Sequence, residues 1–113
     1  MSANVMDQLA PYVAAILQQP SPLAIADQNV EKTSWQDQGF VVTKEVADYR
    51  FANGVVVRRT VEQDDFPAEQ ACAECWITYE VIHTGDAVAA VEPARMVFPN
   101  ACRESFWLAY HTA

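Results

Sequence analysis

The stretch Cys72-Ala73-Glu74-Cys75-Trp76 holds the residue types in this chain best suited to chemistry. Two cysteines at this spacing can hold a zinc ion or form a redox dithiol. Backbone conformation decides whether they do. In an extended segment an offset of three places the side chains on opposite faces, about 10 Å apart along the strand. A disulfide needs Cα atoms within about 7 Å, and a shared zinc needs both sulfurs about 2.3 Å from the ion. If Pro67 to Glu74 is helical, both thiols share a face and either chemistry is open. Cys102 and His111 would complete a Cys₃His zinc set with Cys72 and Cys75. That second pair is widely spaced, and no glycine follows Cys72 or Cys75 to shape a knuckle. The expectation is therefore free cysteines used as small hydrophobes, with no metal and no cofactor.

The remaining chemistry is sparse. His83 and His111 are the only histidines, and a general base needs an orienting partner and a pocket that nothing local supplies. No nucleophile elbow, zincin, P-loop or dinucleotide motif is present, and the chain has three glycines in all. Polar residues that intrude on an apolar strand face offer the best ligand-pocket candidates: Glu45, Tyr49, Arg58 and Thr60. With Arg58 as a clamp, such a pocket would take a small molecule between helix and sheet, lined also by Tyr12, Tyr79 and Phe106.

The elements that would position these residues follow from periodicity. Val5, Met6, Leu9, Tyr12, Val13, Ile16 and Leu17 recur at helical spacing, with Pro11 tolerated in a first turn that Asp7 could cap. Pro20-Ser21-Pro22 ends that helix. Leu23 to Ala26 could form a helical turn, and Asp27 to Asp37 reads as loop or weak helix. From Gly39 the period becomes two. Phe40–Phe51 and Val55–Glu62 read as strands joined at Asn53-Gly54. A two-residue turn there pairs Phe51 with Val56, Tyr49 with Arg58 and Asp48 with Arg59, an opposite-charge pair. Trp76–His83, Ala87–Phe98 broken at Pro93, and Arg103–Tyr110 read as three further strands.

The expected fold is α+β: an N-terminal helix on an antiparallel meander of about five strands, with residues 1–113 as one domain. The layout is cystatin-like by topology alone. Ile77, Tyr79, Val81, Met96, Phe98, Phe106, Leu108 and Tyr110 would form the core against the helix. The opposite face then carries Trp76, Thr78, Val97 and Trp107, more apolar than a solvated face requires. This face is the expected partner-binding surface, either for a homodimer or for another protein.

Bulk composition bounds the class. Apolar residues make up 51 % of the chain, which excludes disorder by composition. No apolar run approaches the ~20 residues of a bilayer span, so no membrane is expected. The net charge of −8, with fifteen acidic residues against seven basic, disfavours nucleic acid and suits a basic protein partner. No Lys or Arg precedes the first apolar segment, so it reads as a mature helix, not a leader. An odd cysteine count of three suggests a cytoplasmic protein. The expected role is thus a small acidic binding domain, homodimeric through the apolar sheet face, with no catalytic activity evident; a pocket-bearing small-molecule binder or enzyme and a zinc-stabilised module are the alternatives.

Overall fold

The computed structural model describes residues 7–64, 74–85 and 90–112. In chain order the elements are α1 (Leu9–Ile16), β1 (Ile25–Asp37), β2 (Phe40–Phe51), β3 (Val56–Asp64), β4 (Glu74–His83), β5 (Arg95–Asn100) and α2 (Ala101–Thr112). The strands form one antiparallel sheet in the order β1-β2-β3-β4-β5, and the α+β expectation holds. Both helices pack on the same side, here called the inner face.

Helix α1 forms because its apolar residues recur on a helical face, and Pro11 falls in its first turn, where no backbone N–H partner is lost. Gln8, rather than Asp7, occupies the N-cap position. The strand-like start of the helix is tied to residue 92 by Leu9 N donating to Glu92 O and Glu92 N donating to Asp7 O. Leu9, Tyr12 and Val13 are fully buried against Phe51, Val55, Val57 and Tyr79. The Tyr12 and Phe51 rings meet edge to face at 4.8 Å.

Four expectations are corrected. Residues 27–37 are neither loop nor helix; they complete β1, an edge strand of 13 residues. From residue 26 to residue 36 every side chain is exposed, so neither face of the strand needed apolar residues and no alternation marked it. Arg103–Tyr110 is not a strand but most of α2. Asn100 caps that helix, its Oδ1 accepting from Arg103 N at 2.8 Å. Glu104 and Leu108 are buried and Trp107 half-buried, which is helical spacing; Phe106 and Tyr110, expected in the core, are exposed. The strand expected at Ala87–Phe98 is β5, which begins at Arg95, past Pro93, and residues 86–89 lie outside the described ones.

The fourth correction is one of register. The β2–β3 turn has three residues, Ala52-Asn53-Gly54, not two. Phe51 N donates to Val55 O, Gly54 N donates to Phe51 O, and Gly54 takes a φ of +91°. Asn53 Oδ1 accepts from Val55 N and holds the turn. The ladder therefore pairs Tyr49 with Val57, Asp48 with Arg58, and Ala47 with Arg59. A shift of one residue sends every β3 side chain to the other face.

Candidate functional site

The shift separates two neighbouring arginines. Arg58 lies on the outer face and forks onto Asp48, with Nε–Oδ1 at 2.7 Å and Nη2–Oδ2 at 3.0 Å. Arg59 lies on the inner face, where its Nε donates to Tyr79 Oη at 2.9 Å and its Nη2 to Glu104 Oε2 at 3.1 Å. The Tyr79 hydroxyl donates to the same Glu104 oxygen. This cluster ties β3, β4 and α2 together. Glu104 is 4 % exposed and Tyr79 fully buried, and no buried side-chain polar atom among the described residues lacks a partner. Burial pushes the Tyr79 phenol far above its ordinary range, with Arg59 opposing the shift. Burial works against the Arg59 charge, and Tyr79 and Glu104 outweigh it, so its pKa stands above the usual arginine value.

Beside this cluster the inner face is left open. A cleft of about 210 Å³ lies there. Lys32 of β1 and Glu45 of β2 stand directly opposite each other at its far side. Arg59, Val61 and Gln63 form its floor, and Cys75 and Ala101 close the near side. Cations, a carboxylate, an amide and a thiol thus share one concave surface with apolar Val61 and Ile77. Such a mixture suits binding of a small polar molecule.

The pocket candidates are distributed over both faces. Glu45 lines the cleft. Tyr49 is half-buried on the inner face, where burial raises its pKa. Arg58 and Thr60 lie on the outer face, so the structure does not bring the four together. Tyr12 and Tyr79, expected to line a space between helix and sheet, fill that space as core. Arg59 and Glu104 escaped sequence reasoning: the assumed register gave Arg59 to Asp48, and Glu104 sat in a segment read as a strand. The signal that could have found them is Asn100 followed by Glu104, Trp107 and Leu108, a cap and then one helical face.

The partner-binding candidates also divide. Trp76, Thr78 and Val97 share the outer face, with Thr78 directly opposite Val97. Trp76 is 50 % exposed, whereas Val42, which the register places on the same face of β2, is 6 % exposed. Trp107 is elsewhere, on α2, with its ring 5.6 Å from that of Phe98. The centre of the outer face is charged: Asp48 faces Arg58, Arg58 faces Glu80, and Glu80 faces Arg95, a ladder of alternating sign across four strands.

Of the cysteines, Cys75 is free and half-buried in β4, whereas Cys102, in the first turn of α2, is disulfide-bonded. Cys72 lies outside the described residues, so the conformation of the Cys72–Cys75 stretch is not described as a whole. A disulfide sulfur is not a thiolate ligand, which removes Cys102 from the Cys₃His set. Among the described residues no group of three or more His, Cys, Asp or Glu side chains is placed to hold a metal. The disulfide also removes the ground on which a cytoplasmic location was read. No described helix is long and apolar enough to cross a membrane. Comparison with protein-family models, with curated proteins and with solved structures finds no match to the chain.

Proposed function

We propose that this chain is a binding domain that works as a homodimer and presents the outer face of its sheet to a protein partner. The observation that carries the partner-binding part of this reading is Trp76, half exposed beside Thr78 and Val97 on the outer face of the sheet. A large aromatic held on a strand is pre-organised for contact and is the residue type most often found at the energetic centre of interfaces. The charge of −8 favours a basic partner, and the alternating ladder beside Trp76 supplies paired charges for register. Catalysis is not part of the proposal. The cluster of Arg59, Tyr79 and Glu104 is internally satisfied and joins three elements, which suits a structural role.

A second reading, small-molecule binding, rests on the cleft of about 210 Å³ with Lys32, Glu45 and Arg59 at its wall. Native mass spectrometry of protein purified without chelator separates the two. A dimer without added mass supports the homodimeric binding domain. A retained organic adduct, lost on substituting Glu45 or Lys32, supports the cleft, and a monomer at tens of micromolar overturns the homodimer.

A further inference from the structure

The two edges of the sheet are built differently. The β5 edge is six residues long and contains Pro99, whose nitrogen cannot donate to an added strand. The β1 edge is 13 residues long, has no proline, and is irregular only where Ile25 gives way to Asp27. β1 pairs with β2 on one side, and no other described strand takes its outer side. Natural sheets usually block such an edge with proline, bulges or short length. Proline and short length stand on the opposite edge, while β1 has one irregularity at its start and the charges of Asp27, Glu31 and Lys32 along it.

We infer that a second copy of this chain pairs along β1, antiparallel, about a two-fold axis through Thr33, so that the two sheets become one. The inference rests on the homodimeric reading above and supplies its contact. Pairing along β1 leaves the outer face, with Trp76 and the ladder of Asp48, Arg58, Glu80 and Arg95, free for the protein partner. The register follows from symmetry. In a continuous sheet both copies keep the same face up, and side chains alternate, so one residue must sit on the axis opposite itself. An axis at Glu31 opposes two carboxylates, and an axis at Lys32 opposes two ammonium groups. An axis at Val30 joins only residues 27–33 past the irregularity, and one at Ser34 only residues 31–37. The Thr33 axis joins residues 29–37 and opposes no like charge on itself. It sets threonine against threonine, a favoured cross-strand pair, with Lys32 beside Ser34 of the second copy and Val30 beside its Gln36. Because Lys32 lines the cleft, the second copy would extend the cleft wall on that side.

The test uses the full chain at tens of micromolar. Thr33 is exposed, so Thr33→Lys should fold, as circular dichroism would verify, while opposing two ammonium groups on the axis. The expected result is a dimeric wild type, a monomeric Thr33→Lys and a dimeric Trp76→Lys in light scattering behind size exclusion. A dimeric Thr33→Lys alongside a dimeric wild type overturns the edge pairing and leaves the homodimer standing; a monomeric wild type overturns both. The register has its own check in a Cys75→Ser background. Thr33→Cys should form an intermolecular disulfide on mild oxidation, since directly opposed antiparallel residues have Cα atoms about 4.5–5.5 Å apart. Val30→Cys should not, because its own copy would lie about 20 Å along the strand. Cross-linking of Val30→Cys in preference to Thr33→Cys overturns the assigned register.

Discussion

Arg59 and Glu104, 45 residues apart in the chain, meet at 3.1 Å with side-chain exposures of 20 % and 5 %. Arg58, the preceding residue, meets Asp48 at 2.7 Å with exposures of 41 % and 30 %. Two ion pairs of similar chemistry thus stand in different environments, and only the first couples a helix to the sheet. Removing one member of a buried pair strands the other charge, which costs about 3–5 kcal/mol. Removing a member of an exposed pair costs about 0.2–1 kcal/mol. Glu104→Ala should therefore lower the urea stability by about 3 kcal/mol, and Arg58→Ala by under about 1 kcal/mol. Urea unfolding followed by tryptophan fluorescence reads both. Equal losses would show that the inner pair does not anchor α2.

The β2–β3 turn makes a second prediction. Gly54 and Gly85 lie back to back: a Cβ on Gly85 would stand 3.0 Å from the Gly54 carbonyl carbon and 3.1 Å from Asn53 O. Both glycines also take positive φ, +91° and +68°. Gly85→Ala would combine left-handed strain with a backbone collision that no side-chain rotation relieves. Gly39, at φ +84°, has open space around a Cβ and would bear the strain alone. Thermal unfolding should show Gly39→Ala costing about 1 kcal/mol and Gly85→Ala at least twice that. A smaller loss for Gly85→Ala would contradict the close approach of the turn to the end of β4.

These sites show where sequence stopped being legible. Helix α1 and strands β2, β3 and β4 were readable because each buries one side, which imposes a period of 3.6 or 2 on its apolar residues. β1 buries neither side, so its sequence carries no period. α2 was misread because Phe106, Leu108 and Tyr110 alternate like a strand, although Phe106 and Tyr110 are 69 % and 73 % exposed. The true pattern, Glu104 and Leu108 buried with Trp107 between, counts a carboxylate as an inward residue, and apolar periodicity cannot register that. The hairpin was found but slipped by one, because Asn-Gly also serves a three-residue turn with glycine last. That single residue decided which arginine entered the site.

The thiols differ in a measurable way. Cys75 is free and lines the cleft, and Cys102 is disulfide-bonded. Peptide mapping after alkylation of unfolded, unreduced protein should find Cys75 modified and Cys102 unmodified until a reductant is added. In the folded protein a small molecule seated in the cleft should slow Cys75 alkylation. Alkylation of Cys102 without reductant would exclude the disulfide and return that residue to the zinc set considered from sequence.

Alkaline pH tests the buried cluster through Tyr79. Its phenol has a pKa raised far above the ordinary value of about 10 by burial, against the opposing pull of Arg59. A raised pKa means that the folded state keeps the proton after the unfolded chain has lost it. The contribution to stability is then complete below about pH 10 and declines as pH rises beyond it, by up to about 1.4 kcal/mol per unit for one such group. Tyr12 and Tyr49 are shifted in the same direction, also by burial first, and add to the slope. Urea midpoints measured from pH 8 to 11.5 should be flat and then fall, and Tyr79→Phe should shallow the fall while lowering the plateau through loss of the hydroxyl that bridges Arg59 and Glu104. Phenolate absorbance should show Tyr79 ionising only as the protein unfolds. If the tyrosines titrate in full while circular dichroism is still native, Tyr79 is not sealed beneath α2, and the attachment of that helix through Glu104 fails with it.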